Sequence, residues 1–310
     1  MELGLVTAAM EKAAITPRLV SRLVAMQFPQ WAHLPVAPVD LDGHDNTTFR
    51  LGDELSVRLP SAEDYVPQVE KEHRWLPVLA PHLPLPIPEP VARGVPAPGF
   101  PRPWSVYRWR PGEPAIAERV RDETRLATDL AGFLSALYAV DPTGGPAAGA
   151  HSFFRGGPLT TLDADVRQAI TQLAHELDAD AATAVWEAAL ATVWERPPVW
   201  VHGDIANSNL LVMNGRLSAV LDFGCSAVGD PACDLAIAWT FFVDESRRAF
   251  RGALALDDGT WARGRGWALW KALVTHVKLV RSDTYAVDAA HRFGWRLSSR
   301  GVLDEVLTNA

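Results

Sequence analysis

Lysine is almost missing from this chain: of 29 basic side chains only Lys12, Lys71, Lys271 and Lys278 are lysine, so nearly all positive charge is carried by arginine. Thirty-seven acidic residues bring the net charge to −8, which argues against nucleic acid or an anionic membrane as a partner and is compatible with a cationic small molecule. Cysteine is scarce too. Cys225 and Cys233 have no second pair with which to build a disulfide framework or a thiolate metal site, and both are expected as reduced, buried thiols. The longest apolar run, Leu235 to Val243, is far too short to span a bilayer. The first residues lack a basic segment, and Glu11 and Lys12 interrupt their apolar stretch, so no signal peptide is expected and a cytoplasmic location is. No fixed-period repeat is visible.

What remains is an ordinary globular composition, 48% hydrophobic and 21% charged, in 310 residues that suffice for one large or two modest domains. Thr16-Pro17 forms a helix start, with Leu19, Val20, Leu23 and Val24 at helical spacing behind it, which predicts a helix over 17–28. Short strands are expected at 36–41, 48–51 and 55–59, the last two joined through Gly52-Asp53-Glu54 as an antiparallel meander. An amphipathic helix is expected over 65–79. The prolines at 81, 84, 86, 88 and 90 exclude helix and central strand and predict an extended surface run. Strands at 91–94 and 104–109 follow, and Arg110-Pro111-Gly112 breaks the pattern.

Beyond that point the sequence turns helical: 122–140, two helices within 161–195, and a helix from the Asp230-Pro231 cap to Val243. Between them lies a hairpin, Leu210–Met213 and Leu217–Leu221 about Asn214-Gly215. The expected fold class is α+β, a small antiparallel β-sheet lobe followed by a larger helical one. We place an N-terminal lobe at residues 1–109 and a C-terminal lobe at 110–310.

The chemistry is concentrated at 201–224. His202-Gly203-Asp204 is followed five residues later by Asn209, and Asp222 comes eighteen after Asp204 within Asp222-Phe223-Gly224. Phosphoryl transfer to a hydroxyl needs a base or orienting group at the acceptor, oxygen ligands for Mg²⁺ and cations along the phosphates. Asp204, on a tight loop, suits the first role, and Asn209 and Asp222, spaced by the hairpin, suit the second. Either triplet alone is unspecific, since an aspartate in a turn is commonly a cap. It is the joint spacing that carries the signal.

The segment resembles the aminoglycoside phosphotransferase family, and more distantly choline kinases and protein kinases, which implies a bilobal kinase-like fold. The resemblance implies that Asp204 is the catalytic base, that Asn209 and Asp222 hold Mg²⁺, and that His202 braces the loop. It implies a phosphate-covering loop at 43–48, with Asn46 and Thr48 as contacts, although a polar hairpin turn explains them equally. It also calls for a third-strand cation paired with a helical glutamate; Arg58 and Glu72 occupy those places, arginine replacing the family's usual lysine. The hinge that binds the adenine edge is expected at 106–109, including Val106, Tyr107 and Trp109. Asp230 is fully explained as a helix cap and Asp234 as structural.

The implied activity is ATP- or GTP-dependent transfer to a hydroxyl of a small molecule, an aminoglycoside first. A macrolide, another antibiotic, or a metabolic amino alcohol or sugar is the alternative, and a catalytically silent nucleotide-binding module is a further one prompted by Arg58. Asp244, Glu245, Asp257 and Asp258 are candidates for holding ammonium groups, or are solvated helix ends.

Overall fold

The computed structural model describes residues 14–40, 43, 45–281 and 295–308. The segment read for a signal peptide, and His44 of the phosphate-loop candidate, lie outside the described residues. The chain divides into two compact units, Met1–Val78 with Pro88–Arg110, and Leu79–Ile87 with Pro111–Ala310. As expected, the first is built on a small antiparallel sheet and the second is mostly helical.

In the first unit, α1 (Pro17–Gln27) begins where the Thr16 hydroxyl accepts a hydrogen bond from the Leu19 amide at 3.3 Å. The sheet comprises β1 (Val36–Pro38), β2 (Asn46–Leu51), β3 (Leu55–Pro60), β4 (Pro90–Gly94) and β5 (Trp104–Arg108) in the order β1-β2-β3-β5-β4. β1 is shorter than the sequence implied, because Pro38 has no amide hydrogen with which to extend the ladder.

Strand alternation sorts this sheet into two faces. Phe49, Leu51, Val57, Leu59 and Val106 share one face, in a core with Leu19, Leu23 and Val24 of α1. Asn46, Thr48, Arg58, Ser105 and Tyr107 share the other, and α2 (Val66–Leu79) contributes Glu72 and His73 to it. The proline run departs from the expected extended surface run at two places. It opens with a 3₁₀ turn at Ala80–His82, buries Ile87, and offers the Pro86 carbonyl to the Val220 amide at 3.1 Å.

The second unit contains β6 (Glu113–Pro114), α3 (Glu123–Tyr138), α4 (Asp163–Leu173), α5 (Ala179–Leu190), β7 (Val199–Val201), β8 (Leu210–Met213), β9 (Arg216–Val220), β10 (Ala227–Gly229), α6 (Ile237–Thr240), α7 (Asp244–Ala253), α8 (Asp258–Arg281) and α9 (Ser299–Thr308). β7 pairs with β10, and β6, β8 and β9 form a three-stranded sheet. Asn214 and Gly215 both adopt positive φ, 55° and 76°, as a two-residue hairpin turn of the primed type requires.

The single helix expected from Asp230 to Val243 is instead a 3₁₀ turn at Pro231–Ala236 followed by the short α6. The Ile237 carbonyl accepts from the Phe241 and Phe242 amides, at 3.0 and 3.2 Å, and closes the helix there. Among the described residues no helix is long and apolar enough to cross a membrane.

Leu23 is fully buried between α1 and the sheet. Leu23→Ala is expected to lower the stability of the first unit by about 2–5 kcal/mol, read as an earlier denaturant midpoint, with the chain still folded at low denaturant.

Candidate active site

β7 delivers the chain into His202-Gly203-Asp204, and this loop is fixed from beneath by one buried carboxylate. Asp234 Oδ2 accepts from the His202 amide at 3.0 Å and Oδ1 from the Gly203 amide at 2.7 Å. Tyr138 also donates its hydroxyl to Asp234, at 3.4 Å. Burial raises the Asp234 carboxyl above its ordinary range although these donors favour the anion, and burial beside Asp234 pushes up the Tyr138 hydroxyl and the Cys233 thiol.

Gly203 lies at φ +86°, where a Cβ would sit 2.4 Å from the Cys225 carbonyl oxygen, so the position tolerates only glycine. His202 is wholly buried. Its Nδ1 accepts from the Asp204 amide at 3.2 Å and its Nε2 donates to the Leu221 carbonyl at 2.8 Å, which selects the Nε2–H tautomer. The ring also packs edge-on against Phe223, 4.6 Å between centroids. His202 therefore ties the loop to the far end of the hairpin.

The hairpin brings Asn209 and Asp222 together. Leu210 pairs with Val220 as the terminal rung, and the Leu221 amide donates to the Asn209 carbonyl at 2.7 Å, so the two side chains emerge just beyond it. Asn209 Nδ2 donates to the Asp204 carbonyl at 3.0 Å and lies 3.4 Å from Asp204 Oδ2. Its amide nitrogen is thus committed to the loop, which leaves Oδ1 as its candidate ligand atom. Asp222 takes a left-handed conformation, φ 64° and ψ 70°, that redirects the chain into the turn at Phe223–Cys225. A carboxylate and an amide oxygen on the two strand ends of one hairpin are donor types that suit a hard divalent cation, which keeps its other positions for phosphate and water.

Asp204 has a partner that the motif did not announce. Lys271, on α8, donates to Asp204 Oδ1 at 2.8 Å. Burial disfavours the ionised carboxyl, but the Lys271 charge, the nearby Arg155 charge and the Lys271 hydrogen bond outweigh it and hold the group at about 2. Arg155 is stacked over Trp270 and Trp267 of α8, at 4.5 and 5.3 Å. Asp230 does cap the turn at 231–236, accepting from the Ala232 amide at 3.0 Å, but capping is only part of its role. It also forms a buried, two-point ion pair with Arg263, at 2.6 and 3.3 Å.

In the first unit, Arg58 and Glu72 pair as expected, Nη1 to Oε1 at 3.5 Å. Tyr107 joins them: its hydroxyl donates to Glu72 Oε2, and the Arg58 guanidinium lies 5.5 Å from its ring centroid. Burial and the Glu72 charge push the Tyr107 hydroxyl well up, so it remains a donor. Thr48 stands directly across from Arg58, and Asn46 is two residues along the same face. Val106 is buried inside the ladder between β3 and β4, and the Trp109 amide is bonded to the Glu54 carbonyl at 2.7 Å. Arg50 stacks on the Trp109 ring at 4.0 Å.

With this geometry in view, the comparisons with known proteins are coherent. Residues 37–267 match the sequence model of the phosphotransferase enzyme family. Among solved structures, the GDP complex of aminoglycoside 2'-phosphotransferase-IIIa superimposes with a TM-score of 0.73 at 20% identity, covering 95% of this chain and 99% of that one. The GDP and kanamycin complex of an APH(2") enzyme gives 0.71 at 18% identity, covering 94% and 99%. The macrolide 2'-phosphotransferase MphH of Brachybacterium faecium gives 0.57 at 23% identity, covering 92% and 98%. None of the curated proteins matches the chain in sequence.

Asp234→Ala leaves the His202 and Gly203 amides without their buried acceptor. It is expected to cost at least about 2 kcal/mol in chemical denaturation. An unchanged midpoint would show that the loop does not depend on this carboxylate. The Asp204 carboxyl is depressed from 3.8 to about 2, so the stability it contributes is complete above its unfolded value and fades as pH falls towards 2. The stability gap between wild type and Asp204→Asn should therefore be present at pH 6 and close progressively below pH 4.

Proposed function

Because the chain belongs to the phosphotransferase enzyme family, we propose that it is an ATP- or GTP-dependent O-phosphotransferase that moves the γ-phosphoryl group to a hydroxyl of a small molecule, with an aminoglycoside the leading acceptor. The observation that carries this reading is the convergence of Asp204, Asn209 and Asp222 at one end of the β8–β9 hairpin. On it, Asp204 receives the acceptor hydroxyl, and Asn209 and Asp222 hold Mg²⁺. When bound, the ion neutralises charge on the nucleotide phosphates. An ionised carboxylate holds the attacking oxygen in line by accepting its hydrogen bond, and phosphoryl transfer with a loose transition state asks little more of a base.

In the first unit, Arg58, steadied by Glu72 and Tyr107, supplies the cation for the phosphates, and Asn46 and Thr48 on the same sheet face line the phosphate cover. Arginine keeps its charge and grips phosphate oxygens through two nitrogens, so replacement of lysine is compatible with activity. The strand from Val106 to Trp109 remains the candidate adenine edge. The Arg108 and Trp109 amides are already engaged by the Glu89 and Glu54 carbonyls.

A second reading, an acceptor of low positive charge such as a macrolide, is favoured by one observation. Two cations, Lys271 and Arg155, act on Asp204. A coupled ADP- and GDP-release assay over aminoglycosides, macrolides and amino alcohols separates the two, and no release with any acceptor would leave a silent nucleotide-binding module.

Asp204→Ala is expected to remain folded and to lose turnover by several orders of magnitude; near-wild-type turnover would remove it from the reaction. Asp222→Ala is expected to weaken Mg²⁺-dependent nucleotide binding in titration calorimetry. Unchanged magnesium dependence would refute its role as a ligand.

A further inference from the structure

Helix α8 has 24 residues and is about 36 Å long at 1.5 Å per residue. It is fastened at one point by the buried Arg263–Asp230 pair, whose guanidinium also bonds Thr192 Oγ1 at 3.1 Å and Thr260 Oγ1 at 3.2 Å. Next to it, Gly264 lets the helix approach the turn at 231–236 so closely that a Cβ would stand 2.7 Å from the Leu235 Cβ. The turn so fastened carries Asp234, the carboxylate beneath the catalytic loop. Just over two helical turns further on, on the same helix, Lys271 reaches Asp204.

Its side chain is only 16% exposed, so this is no loose surface pair. The Asp204 carboxylate is thereby held mainly through Oδ1, by Lys271 at 2.8 Å, while Oδ2 has one long contact, 3.4 Å from Asn209 Nδ2, and keeps a lone pair to offer. A carboxylate pinned on one oxygen has a defined plane, and the other oxygen has a defined direction. We infer that Lys271 is a positioning residue for phosphoryl transfer, acting through Asp204: it clamps Oδ1 so that Oδ2 is presented to the acceptor hydroxyl. This rests on the phosphotransferase reading above. In the step it serves, the acceptor oxygen bonds to the γ-phosphorus while the bond to the bridging oxygen breaks. The nucleoside diphosphate leaves with that electron pair, and the hydroxyl proton is released to water.

The test compares Lys271→Met and Lys271→Arg with wild type, each verified as folded by circular dichroism. For Lys271→Met the expected result is a kcat about 100-fold lower, the order of loss that misplacement of a reacting group produces, with nucleotide Kd within about twofold of wild type. Lys271→Arg, which restores a cation that can reach Oδ1, should recover most of the lost kcat. Equal turnover in Lys271→Met and wild type, or no recovery in Lys271→Arg, would overturn the inference, as would a loss confined to nucleotide affinity.

A second arm needs no acceptor. The acylation rate of Lys271 by an amine-reactive ester, followed by mass spectrometry, should be slower in wild type than in Asp204→Asn, and equal rates would overturn the clamp. A wild-type enzyme inactive on every acceptor, but with Lys271 protected by Asp204, would count against the acceptor reading and not against the clamp.

Discussion

The two hydrogen bonds from the His202 and Gly203 amides to the buried Asp234 carboxylate are the constraint on which the rest of the site depends. They set the direction in which the loop leaves β7. That direction fixes the side chain of Asp204, and His202, locked by its Leu221 contact, then sets where the hairpin returns. A buried carboxylate is costly unless its oxygens are satisfied, and here both are met by main-chain donors. The same turn, through Asp230 and Arg263, anchors α8, so loop and helix are referred to one short segment at 230–234.

The cations of this lysine-poor chain are placed accordingly. Arginine is the cation on the first unit's sheet at Arg58, where Glu72 and Tyr107 support the larger guanidinium. Arginine also serves at Arg263, where two-point pairing with a carboxylate suits its planar fork. A lysine is kept at 271, where its ammonium reaches Oδ1 of the Asp204 carboxylate.

Much of this was legible in the sequence because the informative residues are close together. His202, Asp204, Asn209 and Asp222 fall within 21 consecutive positions, and the Asn214-Gly215 turn fixes their register. The Arg58–Glu72 pair was also readable, since strand, turn and helix follow one another directly. Lys271, Arg155 and Arg263 were not. Lys271 meets Asp204 from 67 residues away and Arg263 meets Asp230 from 33, through helix packing that no local pattern encodes. Asp230 looked like an ordinary cap, and Asp234 was legible only as structural, because their longer-range partners are invisible to local rules. The broken helix at 237–242 was missed for a related reason: every residue from Leu235 to Phe242 is buried, so burial there says nothing about helical periodicity.

The central claim is that the loop and hairpin at 202–222 carry out phosphoryl transfer to a hydroxyl. It is tested most directly by ³¹P NMR of the protein with ATP or GTP, Mg²⁺ and each candidate acceptor. The account predicts a growing phosphomonoester signal on the acceptor, matched by loss of the γ-phosphate signal, with wild type and not with Asp204→Ala. Nucleotide consumption that yields only inorganic phosphate with every acceptor, or a phosphomonoester formed equally well by Asp204→Ala, would contradict it.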